Sequence, residues 1–465
     1  VSVEAILEDL LQQAGWAGAP LDRLHLELNR KVLATPWPIA PMATAALAAV
    51  GLAASHIETL RTGKRPDVRL SSRAAELAMC SSSYLQRDGR NAKFRDPFTG
   101  FYPARKGEYV YLHGNFPHLR DGLLDMLGAG NDLEAVRRAV AVRDAGDIEA
   151  EAIERGLCAA KVRSREQWQA GPLARAVSGA PVLSVVSRGD APRRAWPRET
   201  DGTALGSLNV LDFSRVIAGP MAGRTLAEHG ATTMLVSRPD LPFIESLVID
   251  TGFGKLSSYL DLRDPADHRT LLSLLDGADI FIDAYRPQSL GRRGLTRRAM
   301  FARRPGLVSV DLSAFPGGTG WADRRGYDSL VQATMGLAMS GRNGEPALLP
   351  CQPLDYLTGY LAAFGAMVAL IRSAETGGNW AVDLSLAATA NWMWTWRDRL
   401  GDDADIPAAN PAVEDIADLM AEYETPFGIV RALSPALQIG PVPQRWQRGP
   451  VRLGSDQPRW PDDPR

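Results

Sequence analysis

Cysteine and histidine are scarce in this sequence. Three cysteines, Cys80, Cys158 and Cys351, and six histidines occur in 465 residues. That is too few, and too scattered, for a disulfide framework or a zinc site. A cytoplasmic, reducing compartment fits the count. No HExxH or CxxC occurs, so no metal site is expected, and His113 and His118 read as surface or core residues rather than ligands. No GxGxxG occurs either, so the standard dinucleotide fingerprint is missing. A net charge of −2 removes the bulk electrostatic case for nucleic acid or an anionic membrane. The Arg-rich stretches "RDPADHR" and "RRGLTRRAMFARR" are interleaved with acidic and apolar residues. They read as solvated helix faces, with a local anion site over Arg292 to Arg304 as the alternative. The run "PIAPMATAALAAVGLAASHI" (38–57) lacks Lys, Arg, Asp and Glu and approaches spanning length. It is mostly Ala and Gly, however, and is better explained as a buried helix. The opening "VSVEAILEDLLQQAG" carries acids in an amphipathic pattern and is not expected to be a signal peptide.

The remaining composition, 45% hydrophobic and 23% charged, belongs to an ordinary globular chain long enough for two or three domains. An internal repeat organises it. "ALAAVGLAASHIETLRTGKRPDVRLSSRAAE" (46–76) aligns without a gap with "YLAAFGAMVALIRSAETGGNWAVDLSLAATA" (360–390), at an offset of 314. Each copy reads as an apolar helix, a Thr-Gly turn, a short strand and an Ala-rich helix. Duplication of one unit accounts for the shared punctuation.

The second copy starts at "PLDYLTGYLAAFGAMVALI" (353–371), where Asp355 is followed by 16 residues without a charge. A buried carboxylate must be paired, capping or functional. Asp is a good helix cap, and an anion is welcome at a helix N-terminus. The repeat puts Pro41 opposite Asp355 and Ala45 opposite Gly359. The scaffold therefore survives without the carboxylate, but Pro is also tolerable near a helix start. Cap and catalyst both stay open on this pattern.

From Gly206 strands and helices alternate, which predicts an α/β fold with a doubly wound, parallel, Rossmann-like sheet. Ligands bind such sheets at the carboxyl ends of the strands, which here carry Arg215, Arg238, Tyr285 and Arg286. The expected division is an N-terminal helical segment (1–34) and a degenerate helix-strand-helix repeat (35–96). A small α/β domain (97–187) and a Pro- and Arg-rich linker (188–205) follow. The Rossmann-like domain (206–395) and a wrapping tail with little regular structure (396–465) complete the chain.

The ordered motifs "LNVLDFSRVIAGPMAGRTLAEHGATTMLVSRP", "YLDLRDPADHRTLLSLLDGADIFIDAYRPQSLGRRGL", "RPGLVSVDLSAFPGGTGWADRRGYDSLVQATMGL" and "PLDYLTGYLAAFGAMVALIRSAETGGNWAVDLSL" closely resemble the class III CoA-transferase family over 206–391. "FYPARKGEYVYL" resembles the family's small domain and "QIGPVPQRWQRGPVRLGSD" its C-terminal tail. The order is rearranged, as in a fusion of two trimmed copies. The resemblance implies a transferase that moves CoA between an acyl-CoA and a carboxylate. Asp355, in the family's P-x-D-x-x-x-G pattern, would be the nucleophile that forms an aspartyl anhydride and then a thioester. It further implies CoA contacts at Arg238, Lys255, Tyr285 and Arg292, and a site-lining Tyr327. CoA would be a substrate moiety, with no tightly bound cofactor. A homodimer is expected, with an interlocked arrangement as one form of it, since the Ala-rich helices offer a self-complementary surface. The alternatives are an α-methylacyl-CoA racemase-type isomerase, disfavoured by "GYD" where racemases carry "GHD", and a non-catalytic CoA-binding subunit.

Overall fold

The structure, a computed structural model, describes residues 2–91, 95–196, 202–340, 344–401 and 405–461. In chain order, a first unit runs β1 (Leu24–Glu27), α1 (Ile39–Thr62), β2 (Val68–Ser71) and α2 (Ser72–Ala78). A small module follows, with the hairpin β3 (Gly100–Pro103) and β4 (Tyr109–Leu112), three helices between Pro117 and Glu154, and β5 (Ala159–Lys161). Next come β6 (Leu183–Ser187), β7 (Asn209–Phe213), α3 (Ala218–Glu228), β8 (Thr232–Ser237), β9 (Lys255–Tyr259), β10 (Ile280–Asp283) and β11 (Val308–Ser313). The helices α4 (Asp328–Thr334) and α5 (Pro353–Thr376) lead to β12 (Trp380–Ser385) and α6 (Leu386–Leu400). The chain closes with β13 (Met420–Thr425), β14 (Gly428–Leu433) and β15 (Leu437–Ile439).

The large sheet has seven strands in the order β9-β8-β7-β10-β11-β12-β6. Six are parallel, and their central members are apolar runs buried on both faces, as parallel strands covered by helices must be. The α/β expectation holds, with one correction to the sheet. β6, from the stretch assigned to the small domain, closes it as an antiparallel edge, with Leu183 opposite Leu384 and Val185 opposite Val382.

Two other boundaries shift. The expected linker is tied down where it is described: Arg194 forms an ion pair with Asp279 at 2.8 Å and its N–H donates to the Ser373 carbonyl. The tail holds regular structure. β13 and β14 form a hairpin, β14 also pairs with Gln86–Arg87, and β15 pairs antiparallel with β2.

The two repeats are built alike. α1 and α5 are each 24 residues long and occupy positions that correspond one to one at the sequence offset. The trio β1-β2-β15 reproduces β11-β12-β6, parallel on one side and antiparallel on the other. Gly51 in α1 lies so close to β2 that a Cβ would fall 2.6 Å from Val68 Cγ1. The equivalent Gly365 in α5 would meet Val382 Cγ1 at the same 2.6 Å. Each helix is apolar on every side, so neither has a face to leave in water. α1 and α5 pack against each other in the main core. Both are long and apolar enough to cross a membrane, and both are enclosed by the protein itself. The Ala-rich faces from which a homodimer was expected thus cover one another within one chain.

Candidate active site

Asp355 is not the cap of its helix. Pro353 opens α5, and the orphan N–H groups of Leu354 and Asp355 donate to Asp328 Oδ2 at 2.8 and 3.1 Å. Asp328, the first residue of α4, is fully buried and also accepts from Gln332. Among the described residues no group donates to the Asp355 side chain, which is 7% exposed. Burial first, and the neighbouring Asp328 carboxylate second, push the Asp355 carboxyl well above the usual carboxylate range. The sequence left cap and catalyst open; with Asp328 as the cap, Asp355 is left for another use.

The carboxyl of Asp355 stands at the end of a cleft of about 480 Å³. The cleft lies at the carboxyl ends of the strands, where the order turns from β7–β8 to β7–β10. That is the switch point at which open α/β sheets take ligands. Six arginines line it, Arg215, Arg238, Arg263, Arg286, Arg293 and Arg325, against two acids, Asp261 and Asp355. The loop from β7 to α3 forms one wall. Its Val216 sits at φ +75°, a strained conformation for a β-branched residue, held by the packing around it. Such a cation-rich cleft suits a polyanionic ligand.

Four of the six sequence-predicted site residues line this cleft: Asp355, Arg238, Tyr285 and Tyr327. Arg238 projects from the end of β8 and pairs with Asp240. The Tyr285 phenol is pushed up to about 12, chiefly by burial. Lys255 lies elsewhere. It is 1% exposed, with Nζ 2.7 Å from Asp212 and 2.6 Å from the Pro220 carbonyl. It points under α3 and braces the end of β7, because its strand turns it to the inner face of the sheet. Arg292 is exposed on a turn of 3₁₀ helix outside the cleft, and the next residue, Arg293, lines it instead. Arg263, Arg293 and Arg325 were not singled out from sequence. Arg263 and Arg293 fall within the two Arg-rich stretches, whereas Arg325 had only its place in "ADRRGYD" as a signal.

The small module completes the site from the same chain. Next to Asp355 a second, smaller space of about 30 Å³ is lined by His113 and Phe116 of the module together with Val216, Tyr327 and Asp355. The His113 ring stacks on Tyr327 at 4.0 Å with 7° between planes. Arg215 lies 5.4 Å over the Phe116 ring.

One turn after Asp355, Gly359 lets α5 approach the start of α3. A Cβ there would meet Met221 Cβ at 2.6 Å and the Ala218 carbonyl at 2.7 Å. The obstacle is partly backbone, so it does not yield as a flexible side chain would. Gly359→Ala should cost about 1–3 kcal/mol, seen as a lower urea midpoint with an unchanged m-value.

Residues 205–408 match the family described as CoA-transferase family III. An acyl-CoA transferase of Gibberella moniliformis is 30% identical over 310 residues, 61% of this chain and 54% of its own length. A formyl-CoA:oxalate CoA-transferase of Rhodopseudomonas palustris is 28% identical over 188 residues, 37% of this chain and 44% of its own. A crystal structure of a Mycobacterium tuberculosis protein aligns at 26% identity with a TM-score of 0.40, covering 43% of this chain and 58% of that one. The chain spans about half the length of the curated relatives it matches. The likeness to CoA-transferase family III thus lies in residues 205–408, somewhat under half of the chain.

Proposed function

We propose that this chain moves CoA between an acyl-CoA thioester and a free carboxylic acid, with Asp355 as the nucleophile. One observation carries the proposal: a buried carboxylate, relieved of capping by Asp328 and without a donor of its own, ends an arginine-lined cleft. Asp355 attacks the thioester carbonyl and expels CoA thiolate, leaving an aspartyl–acyl anhydride. The thiolate then attacks the aspartyl carbonyl, releasing the donor carboxylate and leaving an aspartyl–CoA thioester. The acceptor carboxylate attacks that thioester, and the thiolate freed in this step takes the acceptor's acyl group and restores Asp355. Each step exchanges one acyl bond for another, as in covalent catalysis generally. No cofactor beyond the CoA of the substrate enters. Incubation with acetyl-, formyl- and succinyl-CoA against a set of free carboxylates should yield new acyl-CoA products. No product from any pairing ends this reading.

Arg238, Arg293 and Tyr285 are assigned to the nucleotide end of CoA, since guanidinium forks suit phosphate and an aromatic ring suits adenine. Arg238→Ala should raise KM for a CoA thioester about tenfold, in line with the loss of a charge-assisted hydrogen bond. The pantetheine thioester, which has no nucleotide phosphates, should be little affected. Equal losses on both would make Arg238 structural.

The isomerase reading has less support. The Tyr327 phenol is buried and pushed further up, so it holds its proton and is no base near neutral pH. A homodimer finds no support in the Ala-rich helices, which are already paired within the chain. Any dimer would use other surfaces.

A further inference from the structure

Among the described residues that line the small space beside Asp355, His113 keeps a buried polar atom without a partner. Asn115 Oδ1 accepts from the Asp96 N–H at 3.0 Å and from Thr99 Oγ1 at 2.8 Å. Those two donors fix the amide orientation. Asn115 Nδ2 therefore faces His113 Nε2, 3.4 Å away, and donates to it. With Nε2 as an acceptor, the proton of the neutral ring sits on Nδ1. His113 is 5% exposed, and its Nδ1 has no hydrogen-bond partner among the described residues. Burial lowers its pKa to about 4, so the ring is neutral at physiological pH. A buried N–H without an acceptor is costly. It is held here by the stack on Tyr327, in the wall of the small space that Asp355 also lines.

We propose that His113 is a catalytic hydrogen-bond donor whose Nδ1–H binds the oxygen of the acyl group transferred through Asp355. The inference rests on the function proposed above. The thioester sulfur reaches Asp355 from the cleft, and the acyl end enters the small space lined by His113. When an Asp355 oxygen bonds to the thioester carbon, the carbonyl pair moves onto oxygen. The Nδ1–H stabilises that oxyanion without giving up its proton. The C–S bond then breaks, CoA thiolate leaves, and the carbonyl of the anhydride re-forms. At about 30 Å³ the space is far smaller than the cleft of about 480 Å³ and favours a short acyl group over a long chain. A neutral imidazole that donates to a substrate oxygen is an established catalytic device.

The test is His113→Phe with acetyl-CoA as probe. Phe keeps the ring stack and deletes the orphaned N–H. The variant should be as heat-stable as the wild type or more so, and its rate of Asp355 acylation should fall about 100-fold. Its affinity for CoA itself should not change. Hexanoyl-CoA should acylate the wild type far more slowly than acetyl-CoA. In the wild type, ¹⁵N spectra should show the Nδ1–H tautomer of His113 and a shift on adding acetate, which decides the matter if the variant does not fold. Wild-type acylation rates in His113→Phe, or a spectrum with the proton on Nε2, would overturn the role of His113 alone. Exchange of the acetyl-CoA methyl protons with heavy water that depends on His113 would make it a base and overturn the donor role. A wild-type chain that forms no Asp355 adduct with acetyl-, formyl- or succinyl-CoA would remove the proposed function and this inference with it.

Discussion

Asp355→Asn should lower CoA transfer by about 10⁴-fold or more, the scale on which enzymes lose activity when a nucleophile is removed. Wild-type protein treated with acyl-CoA should carry a hydroxylamine-sensitive adduct on the peptide containing Asp355, and the Asn variant none. The same substitution should stabilise the fold at neutral pH. Burial and Asp328 raise the Asp355 pKa in the folded chain above the 3.8 expected when unfolded. Between those two values the folded state binds more protons than the unfolded state, so stability falls as pH rises through that window. Below it the penalty is absent. Asn has no such window, and the variant should gain about 1–3 kcal/mol at pH 7 relative to its standing at pH 4. Activity runs the other way: kcat/KM should rise with pH along a limb set above the ordinary carboxylate range, because attack needs the ionised form. An Asn variant with full activity, or an adduct on another residue, would sink the mechanism.

A chain that starts at Gly206 should show no transfer activity, although it keeps Asp355 and all six cleft arginines. What it loses is the packing beneath them. Asp250 accepts from Ser81 Oγ at 2.8 Å, from the Tyr356 hydroxyl at 3.2 Å and from Arg224 at 3.2 Å, all in the interior. The Tyr356 hydroxyl also takes the Ser82 N–H at 3.0 Å. Tyr356 follows Asp355 directly, so residues 81 and 82 hold the first turn of the helix that carries Asp355. Leaving those buried hydrogen-bonding groups unsatisfied costs about 1–3 kcal/mol each, and α5 also loses the cover of α1. Phe116 and His113 leave with the same segment. Residues 1–200 added in trans should restore part of the activity, since the two pieces share a broad apolar contact. Full activity of 206–465 alone would show that the first unit contributes nothing to the site.

Much of this was readable in the sequence where the signal was local or repeated. The offset between the copies set α1 and α5 in register with one another, and strand ends placed Arg238 and Tyr285 at the cleft. Signals failed where they depended on direction. A lysine at the start of a strand can face either side of the sheet, and Lys255 faces Asp212. Adjacent arginines on one turn point different ways, so Arg293 and not Arg292 reaches the cleft. They failed completely where distant segments meet. "YLHGN" has no feature that announces a stack on Tyr327, which lies more than two hundred positions away. Nor does "PVLSVVS" say which sheet it will close. The role of Asp328 was hidden for a related reason, since its cap bonds reach a helix in another part of the sequence.

The packing of α1 on α5 has a consequence for behaviour on dilution. Two separate subunits that complete one another come apart as concentration falls, and their activity falls with it. Here the covering unit is tethered to the unit it covers, and a tether of this kind holds its partner at an effective concentration that dilution does not change. The core shared by α1 and α5 therefore persists down to single molecules.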